Sequence, residues 1–173
     1  MPEISIAQPE DIPALVEIIN LSYRGEPSKK GWTTEADLLS GDIRTDVANV
    51  MEFMSKENAV YLKCTDKAGH ISGCVYLEQT ERGLYLGMFS VHPEMQGRGI
   101  GKLLLTAAEE RARQLDCPAI FMQVVSERPE LQAWYCRYGY ELTGERRPFD
   151  GDPKFGVPKR PLEFLIMEKK ITQ

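Results

Sequence analysis

Residues 84–105, LYLGMFSVHPEMQGRGIGKLLL, constrain the fold more than any other part of the chain. Leu84–Val91 is a continuous apolar and aromatic run, the pattern of a strand covered on both faces. His92 and Pro93 end it, because proline cannot donate to a sheet ladder and biases its predecessor away from helix. Three glycines follow in Gln96-Gly97-Arg98-Gly99-Ile100-Gly101-Lys102, where the backbone can curl tightly and lie bare. Ile100, Leu103, Leu104, Ala107, Ala108, Arg111, Ala112 and Leu115 then recur at helical spacing, and all but Arg111 are apolar. The stretch therefore reads as strand, bare turn, amphipathic helix.

A helix start leaves its first N–H groups unpaired and carries the positive end of the helix dipole. Glycines there remove the side chains that would hold an anion off, so the turn is a candidate phosphate cradle. A Walker-type loop needs Gly-Lys-Ser/Thr, but Leu103 follows Gly101-Lys102. A dinucleotide fingerprint needs Gly-x-Gly-x-x-Gly, and here the third glycine comes one residue early. Gln-x-x-Gly-x-Gly does fit, through Gln96, Gly99 and Gly101. Set between Val91-x-Pro93 and a leucine-rich helix, it resembles the acyl-CoA signature of the GNAT acyltransferase superfamily. Downstream, Ala119–Val125 reads as the next strand, and residues 131–140 (LQAWYCRYGY) are similar to the family's Tyr-x-x-x-Gly-Phe/Tyr ending.

Composition suits that resemblance. The chain has 173 residues, 42% hydrophobic and 27% charged, which is ordinary for one globular domain. A net charge of −5 lacks the basic surplus of a nucleic-acid binder, and no apolar run approaches the ~20 residues of a membrane span. The amino-terminal residues have neither a basic start nor an apolar signal core, so the expected location is cytoplasmic. Cys64, Cys74, Cys117 and Cys136 are scattered and only His70 and His92 accompany them, so no metal site is expected and the thiols should pack as small apolar residues.

Taken in order, residues 3–7 suit a strand and residues 9–23 a helix stopped at Arg24-Gly25. Thr45-Asp46 precedes a second helix. Residues 59–64 and 71–77 read as strands joined by the turn Asp66-Lys67-Ala68-Gly69. Beyond Tyr140 come a strand to Glu145, a proline- and glycine-rich stretch at 146–161, and a last strand at 162–167. The expected fold is α/β: a single domain over residues 1–173 with a central mixed, mostly antiparallel sheet and helices on both faces. The resemblance adds that the sheet splays apart at a cofactor wedge.

What the resemblance implies for the site is specific. Acetyl-CoA is the acyl donor, with its pyrophosphate on the backbone of Gly97, Arg98, Gly99, Ile100, Gly101 and Lys102. Phe89, Ser90 and Val91 line its pantetheine arm through main-chain groups, and Gln96 holds the polar position ahead of the glycines. Tyr135 occupies the family's tyrosine position and would protonate the departing thiolate. Arg128 stands where many members carry an asparagine that bonds the cofactor arm.

The acceptor side is drawn from Trp32, Tyr85 and Phe149. Tyr85 shares a strand face with Gly87, Phe89 and Val91 by strict alternation. Trp32 and Phe149 belong to two unusual stretches, 26–46 and 146–161, whose mixed charges suit an acceptor bearing both amine and carboxylate. Glu78 is a second candidate base beside Tyr85, and Cys136 reads as packing because helix neighbours point about 100° apart. The expected reaction is N-acetylation of a small-molecule amine by a monomer or homodimer. The alternatives are acetylation of a protein N-terminus or lysine, and a non-catalytic acyl-CoA-binding regulatory module.

Overall fold

A computed structural model describes residues 2–172. Seven strands form one sheet: β1 Glu3–Ile6, β2 Ala59–Thr65, β3 Ile71–Gln79, β4 Leu84–Val91, β5 Ala119–Val125, β6 Glu141–Pro148 and β7 Glu163–Lys170. Their order is β1-β2-β3-β4-β5-β7-β6, antiparallel throughout except for the parallel pair β4 and β5. The helices are α1 Ile12–Tyr23, α2 Gly25–Ser28, α3 Val47–Met54, α4 Ile100–Gln114 and α5 Pro129–Arg137. The expected mixed sheet with helices on both faces is what the chain forms.

Each face closes over its own apolar set. Leu15, Ile18 and Ile19 of α1 and Val50 of α3 pack on Tyr61, Cys74, Tyr76 and Met88. Leu104, Leu105, Ala108 and Ala112 of α4 and Tyr135 of α5 cover Leu62, Val75, Leu77, Leu84, Leu86 and Ile120 on the other side. Local signals set the element ends. Asp46 accepts the Asn49 N–H at 2.8 Å and caps α3. Asp66 accepts the N–H groups of Ala68 and His70, each at 2.9 Å, and closes the β2–β3 hairpin.

Two features of β4 create the site. First, β4 and β5 pair only at Leu84–Ile120 and Tyr85–Phe121, so beyond that point the strands part and leave a wedge. Second, β4 carries a bulge. Cys74 pairs with Ser90 and Tyr76 with Gly87, so Met88 and Phe89 together oppose Val75, and Met88 has a left-handed φ of 49°. The extra residue switches the face of everything after it. Leu84 and Leu86 before the bulge, and Phe89 and Val91 after it, all belong to the α4 cluster, whereas Tyr85 and Met88 belong to the α1 cluster. The expectation that Tyr85 shares a face with Phe89 and Val91 is therefore corrected, because strict alternation fails across a bulge.

Smaller departures have local causes. Residues 25–28 form the short helix α2 where only an end to α1 was expected. Strand β6 runs to Pro148 and β7 to Lys170, both past their expected ends, because each continues to pair with the other or with β5. Leu103 is 40% exposed although it lies on the apolar spacing of α4. Cys64, Cys74 and Cys117 are buried as expected, but Cys136 is exposed and so is not a packing residue.

Candidate active site

The wedge holds two cavities. The first, about 470 Å³, lies between the glycine turn and α5. The second, about 240 Å³, lies on the other side of β4 and β5, beneath residues 149–156. They share five wall residues: Tyr23, Phe89, Arg128, Leu131 and Tyr135.

The first cavity is built from the turn upward. Gly97 and Gly99 both have φ 82°, a conformation that side chains with a Cβ resist, and a Cβ at either would meet open space. Gly99 caps α4, whose first helical bond runs from the Leu103 N–H to the Gly99 carbonyl at 3.1 Å. The N–H groups just before Leu103 thus have no helical acceptor and lie along the cavity with Lys102. Gly101 serves differently: a Cβ there would sit 3.2 Å from the Trp134 ring and 3.3 Å from Phe89, so helix α5 can approach only because the position is bare. This donor set, the open space over the turn and the cavity's length along β4 fit a pyrophosphate with a long apolar arm.

Main-chain groups of β4 extend the cradle. The His92 N–H bonds the Ser72 carbonyl at 2.9 Å. By the alternation of antiparallel ladders, the next pair, Gly73 and Val91, exchanges no bonds, and the main chain of Val91 turns toward the wedge. Its carbonyl is already occupied, accepting from Ser22 Oγ at 2.9 Å and Gln96 Nε2 at 3.2 Å. Gln96 Oε1 in turn accepts the Trp32 N–H at 2.6 Å. Gln96 is thus a brace that ties residues 31–32 to the end of β4.

Tyr135 lies at the junction of the cavities, 3% exposed, and among the described residues its hydroxyl has no hydrogen-bond partner. Burial, reinforced by the neighbouring phenols of Tyr23 and Tyr140, holds its pKa well above the ordinary tyrosine value, so the proton stays on at neutral pH. Beside it, Arg128 is buried in a network. Its guanidinium donates to Glu35 Oε2 and to Thr33 Oγ1, each at 3.0 Å, while Glu35 Oε1 receives Arg24 at 3.0 Å. Arg128 Nε has no partner although it is buried. The position where the resemblance puts an asparagine is therefore part of an Arg24–Glu35–Arg128 triad that joins the two cavities.

The second cavity has Tyr85, Gly87 and Met88 of β4 as one wall, and the Tyr85 ring lies across Gly87, where a Cβ would come within 2.9 Å of it. Residues 149–161 form its roof and are fastened to residues 35–40. The Lys159 N–H bonds the Leu38 carbonyl at 2.8 Å, the Ser40 N–H bonds the Val157 carbonyl at 3.0 Å, and Leu39 bridges to Pro158. Arg24 adds a further tie to the Phe155 carbonyl. Phe149 and Phe155 face inward.

The expected site residues thus separate. Val91, Gln96, Gly97, Gly99, Ile100, Gly101, Lys102 and Trp32 line the first cavity, Tyr85 and Phe149 the second, and Phe89 and Tyr135 both. Trp32, grouped with Phe149 from sequence, stands across the wedge from it, its ring 6.3 Å from Trp134. Ser90 and Arg98 line neither; Ser90 is buried with its hydroxyl on the Met88 carbonyl at 3.1 Å. Of the charges in the two unusual stretches, only Glu35, Arg44, Asp150 and Asp152 line the second cavity. Glu78 also lines neither: although burial opposes its ionisation, bonds from Tyr76 and Lys56 hold its carboxyl below the usual range. Trp134 and Tyr138 also line the first cavity, although aromatic side chains at helical spacing ordinarily pack as core. Helical spacing marked them as apolar, but only the approach of α5 to Gly101 turns them onto the cradle.

A split sheet with a glycine turn on one side and a roofed cavity on the other gives the molecule two cavities that meet at a shared wall. The profile of the acetyltransferase (GNAT) family matches residues 13–140, and the chain belongs to that family. Acetyltransferase Atu2258 of Agrobacterium fabrum is 36% identical over 70 residues, which are 40% of this chain and half the length of that relative. Among solved structures, a putative phosphinothricin N-acetyltransferase superposes with a TM-score of 0.75 at 14% identity, covering all of both chains. The PaiA N-acetyltransferase of Thermoplasma acidophilum, in complex with coenzyme A, gives 0.74 at 20% identity over 98% of this chain and 99% of that one. Among the described residues, no helix is long and apolar enough to cross a membrane, and no group of side chains is arranged to hold a metal.

One consequence concerns the turn. Gly101→Asp puts a carboxylate and its bulk against Trp134 in the cradle, and affinity for coenzyme A measured by calorimetry should fall well over tenfold, about 1.4 kcal/mol or more. Gly101→Ala reports the steric part alone; if the aspartate variant binds as tightly as the alanine one, the turn is not an anion site.

Proposed function

We propose that the protein transfers an acetyl group from acetyl-CoA to the primary amine of a small molecule, an amino acid or amine metabolite, within a ternary complex. The observation that carries this is the junction: a cradle suited to pyrophosphate and a separate small cavity meet at Phe89, Arg128 and Tyr135. A thioester drawn along β4 from the glycine turn would end there, against an acceptor in the second cavity. The amine nitrogen attacks the thioester carbon, and a main-chain N–H near Val91 steadies the oxyanion. When the C–S bond breaks, the thiolate takes the Tyr135 proton, the amine's surplus proton leaves to solvent, and the Tyr135 phenolate takes a proton back from solvent. The coenzyme A complex of a like-folded protein supports the donor.

The roof favours a small acceptor over a polypeptide. Main-chain bonds hold residues 157–159 to residues 38–40, so a continuing chain would have to break them, and about 240 Å³ lies below the range typical of drug-sized ligands. The test is a mass-spectrometric screen of amines, amino acids and peptides with acetyl-CoA. Acetylation of free amines or amino acids is expected. Turnover of peptides alone would move the acceptor to a polypeptide, and coenzyme A binding with no acetylation anywhere would leave a regulatory module.

The separation of the two cavities makes a second prediction. Trp32→Ala should raise the KM for acetyl-CoA, and Phe149→Ala the KM for the acceptor, each with little effect on the other substrate. The reverse pattern in steady-state kinetics would exchange the roles assigned to the two cavities.

A further inference from the structure

The second cavity contains a cation that the protein leaves unmatched. Three arginines, Arg24, Arg44 and Arg128, and one glutamate, Glu35, stand in its inner wall. Glu35 gives one carboxylate oxygen to Arg24 and the other to Arg128, each at 3.0 Å, so its single negative charge is already shared between two cations. Among the described residues, the Arg44 guanidinium has neither a carboxylate nor a hydrogen-bond acceptor. Asp150 and Asp152 are exposed at the cavity mouth, and Asp152 is engaged with the Lys154 N–H at 2.9 Å.

Arg44 is nevertheless held in place. Its N–H and that of Thr45 both bond Asn20 Oδ1, at 2.6 and 3.0 Å, so its backbone is fastened to α1. Its guanidinium lies 5.7 Å from the Tyr23 ring, and that of Arg128 lies 5.8 Å from the same ring. Tyr85 lines the same cavity as Arg44, and the Arg44 charge works against the burial that raises the Tyr85 phenol pKa. A second donor, Arg128 Nε, is also buried without a partner in a residue that lines the cavity. Unmatched cations in a half-closed site are costly unless an anion completes them.

We propose that this cavity takes an amine whose molecule also carries a carboxylate, and that Arg44 holds that carboxylate through its guanidinium fork. The inference rests on the acceptor reading of the cavity given above. Tyr23 links the two ends: it lines the junction where the amine must meet the thioester, and it touches Arg44. Arg44 and the junction thus flank the same ring, so one small molecule that carries both an amine and a carboxylate, such as an amino acid, can reach both. Polyamines and simple alkylamines bring more positive charge to a wall that already has too much, and are selected against.

Steady-state kinetics on matched acceptors tests this: a panel of free amino acids, each beside its decarboxylated amine, with wild type, Arg44→Gln and Arg44→Lys. Wild type should prefer the amino acid of at least one pair. In Arg44→Gln that preference in kcat/KM should fall at least tenfold, mainly through the acceptor KM, with partial recovery in Arg44→Lys and an unchanged KM for acetyl-CoA. Binding of the same amino acids to the coenzyme A complex, followed by ligand-observed NMR, separates the two readings. Arg44-dependent binding without acetylation keeps the carboxylate site and removes the proposed reaction. Acetylation of decarboxylated amines as readily as amino acids, or equal losses for both in Arg44→Gln, keeps the reaction and overturns the carboxylate site. Neither binding nor acetylation overturns both.

Discussion

Replacing Glu35 with glutamine destabilises the fold by about 3–5 kcal/mol, the cost of leaving buried charge uncompensated. Glu35 is 5% exposed and is the carboxylate that Arg24 and Arg128 share, themselves 3% and 5% exposed. Without its charge, two buried guanidiniums face each other across a neutral amide. The whole fold of a domain this size is stable by about 5–15 kcal/mol, so the loss is a large share of it. In thermal or urea unfolding, the midpoint should drop by roughly 10 °C or its denaturant equivalent. Replacing Arg24, Glu35 and Arg128 together by methionine should cost far less, because no unpaired charge remains. A loss under about 1 kcal/mol in Glu35→Gln would mean that water reaches the triad and screens it.

Tyr135→Phe should lower kcat within the 10²–10⁴-fold span of general acid catalysis and leave coenzyme A affinity as it was. The ring remains, so its packing against Phe89, Trp134 and Tyr140 is kept and only the proton donor is lost. The environment refines the size. Burial, with Tyr23 and Tyr140 close by, raises the phenol pKa, which keeps the proton present but makes it a weaker acid. The expected loss therefore lies toward the lower end of that span. The direction also sets the pH dependence: a raised pKa means that Tyr135 stays protonated past the ordinary tyrosine value near 10, so it adds no alkaline fall in kcat below about pH 10. Wild-type turnover in the phenylalanine variant, with chemistry shown to limit the rate, would reduce Tyr135 to a wall residue.

Arg128 shows why part of the site could not be seen in the sequence. The residue stood out as a departure from the family's asparagine, yet its partner Glu35 lies 93 positions earlier, within a stretch that reads as ordinary mixed charge. Nothing near either residue in the chain marks the pair. The same holds for Trp32, whose aromatic character suggested a ligand wall but whose place beside the glycine turn is set by Gln96, 64 positions away.

What the sequence by itself determined is local. The strand, glycine turn and helix of residues 84–114, the caps, the hairpin and the tyrosine on α5 each depend on residues within a turn or two of one another, and there propensity, spacing and the bare backbone act directly. The tertiary structure decided the rest. Gly87 is the one local hint of the bulge, but the left-handed residue is Met88, and it is the register against β3 that sends Tyr85 and Phe89 to opposite faces of β4. The division into two cavities follows from a parallel pair that is joined at two positions and then parts. The unmatched charge of Arg44 exists because Glu35 is spent on two other arginines. Pairing register and charge matching are settled between distant segments as they pack, and no window of the sequence contains both partners.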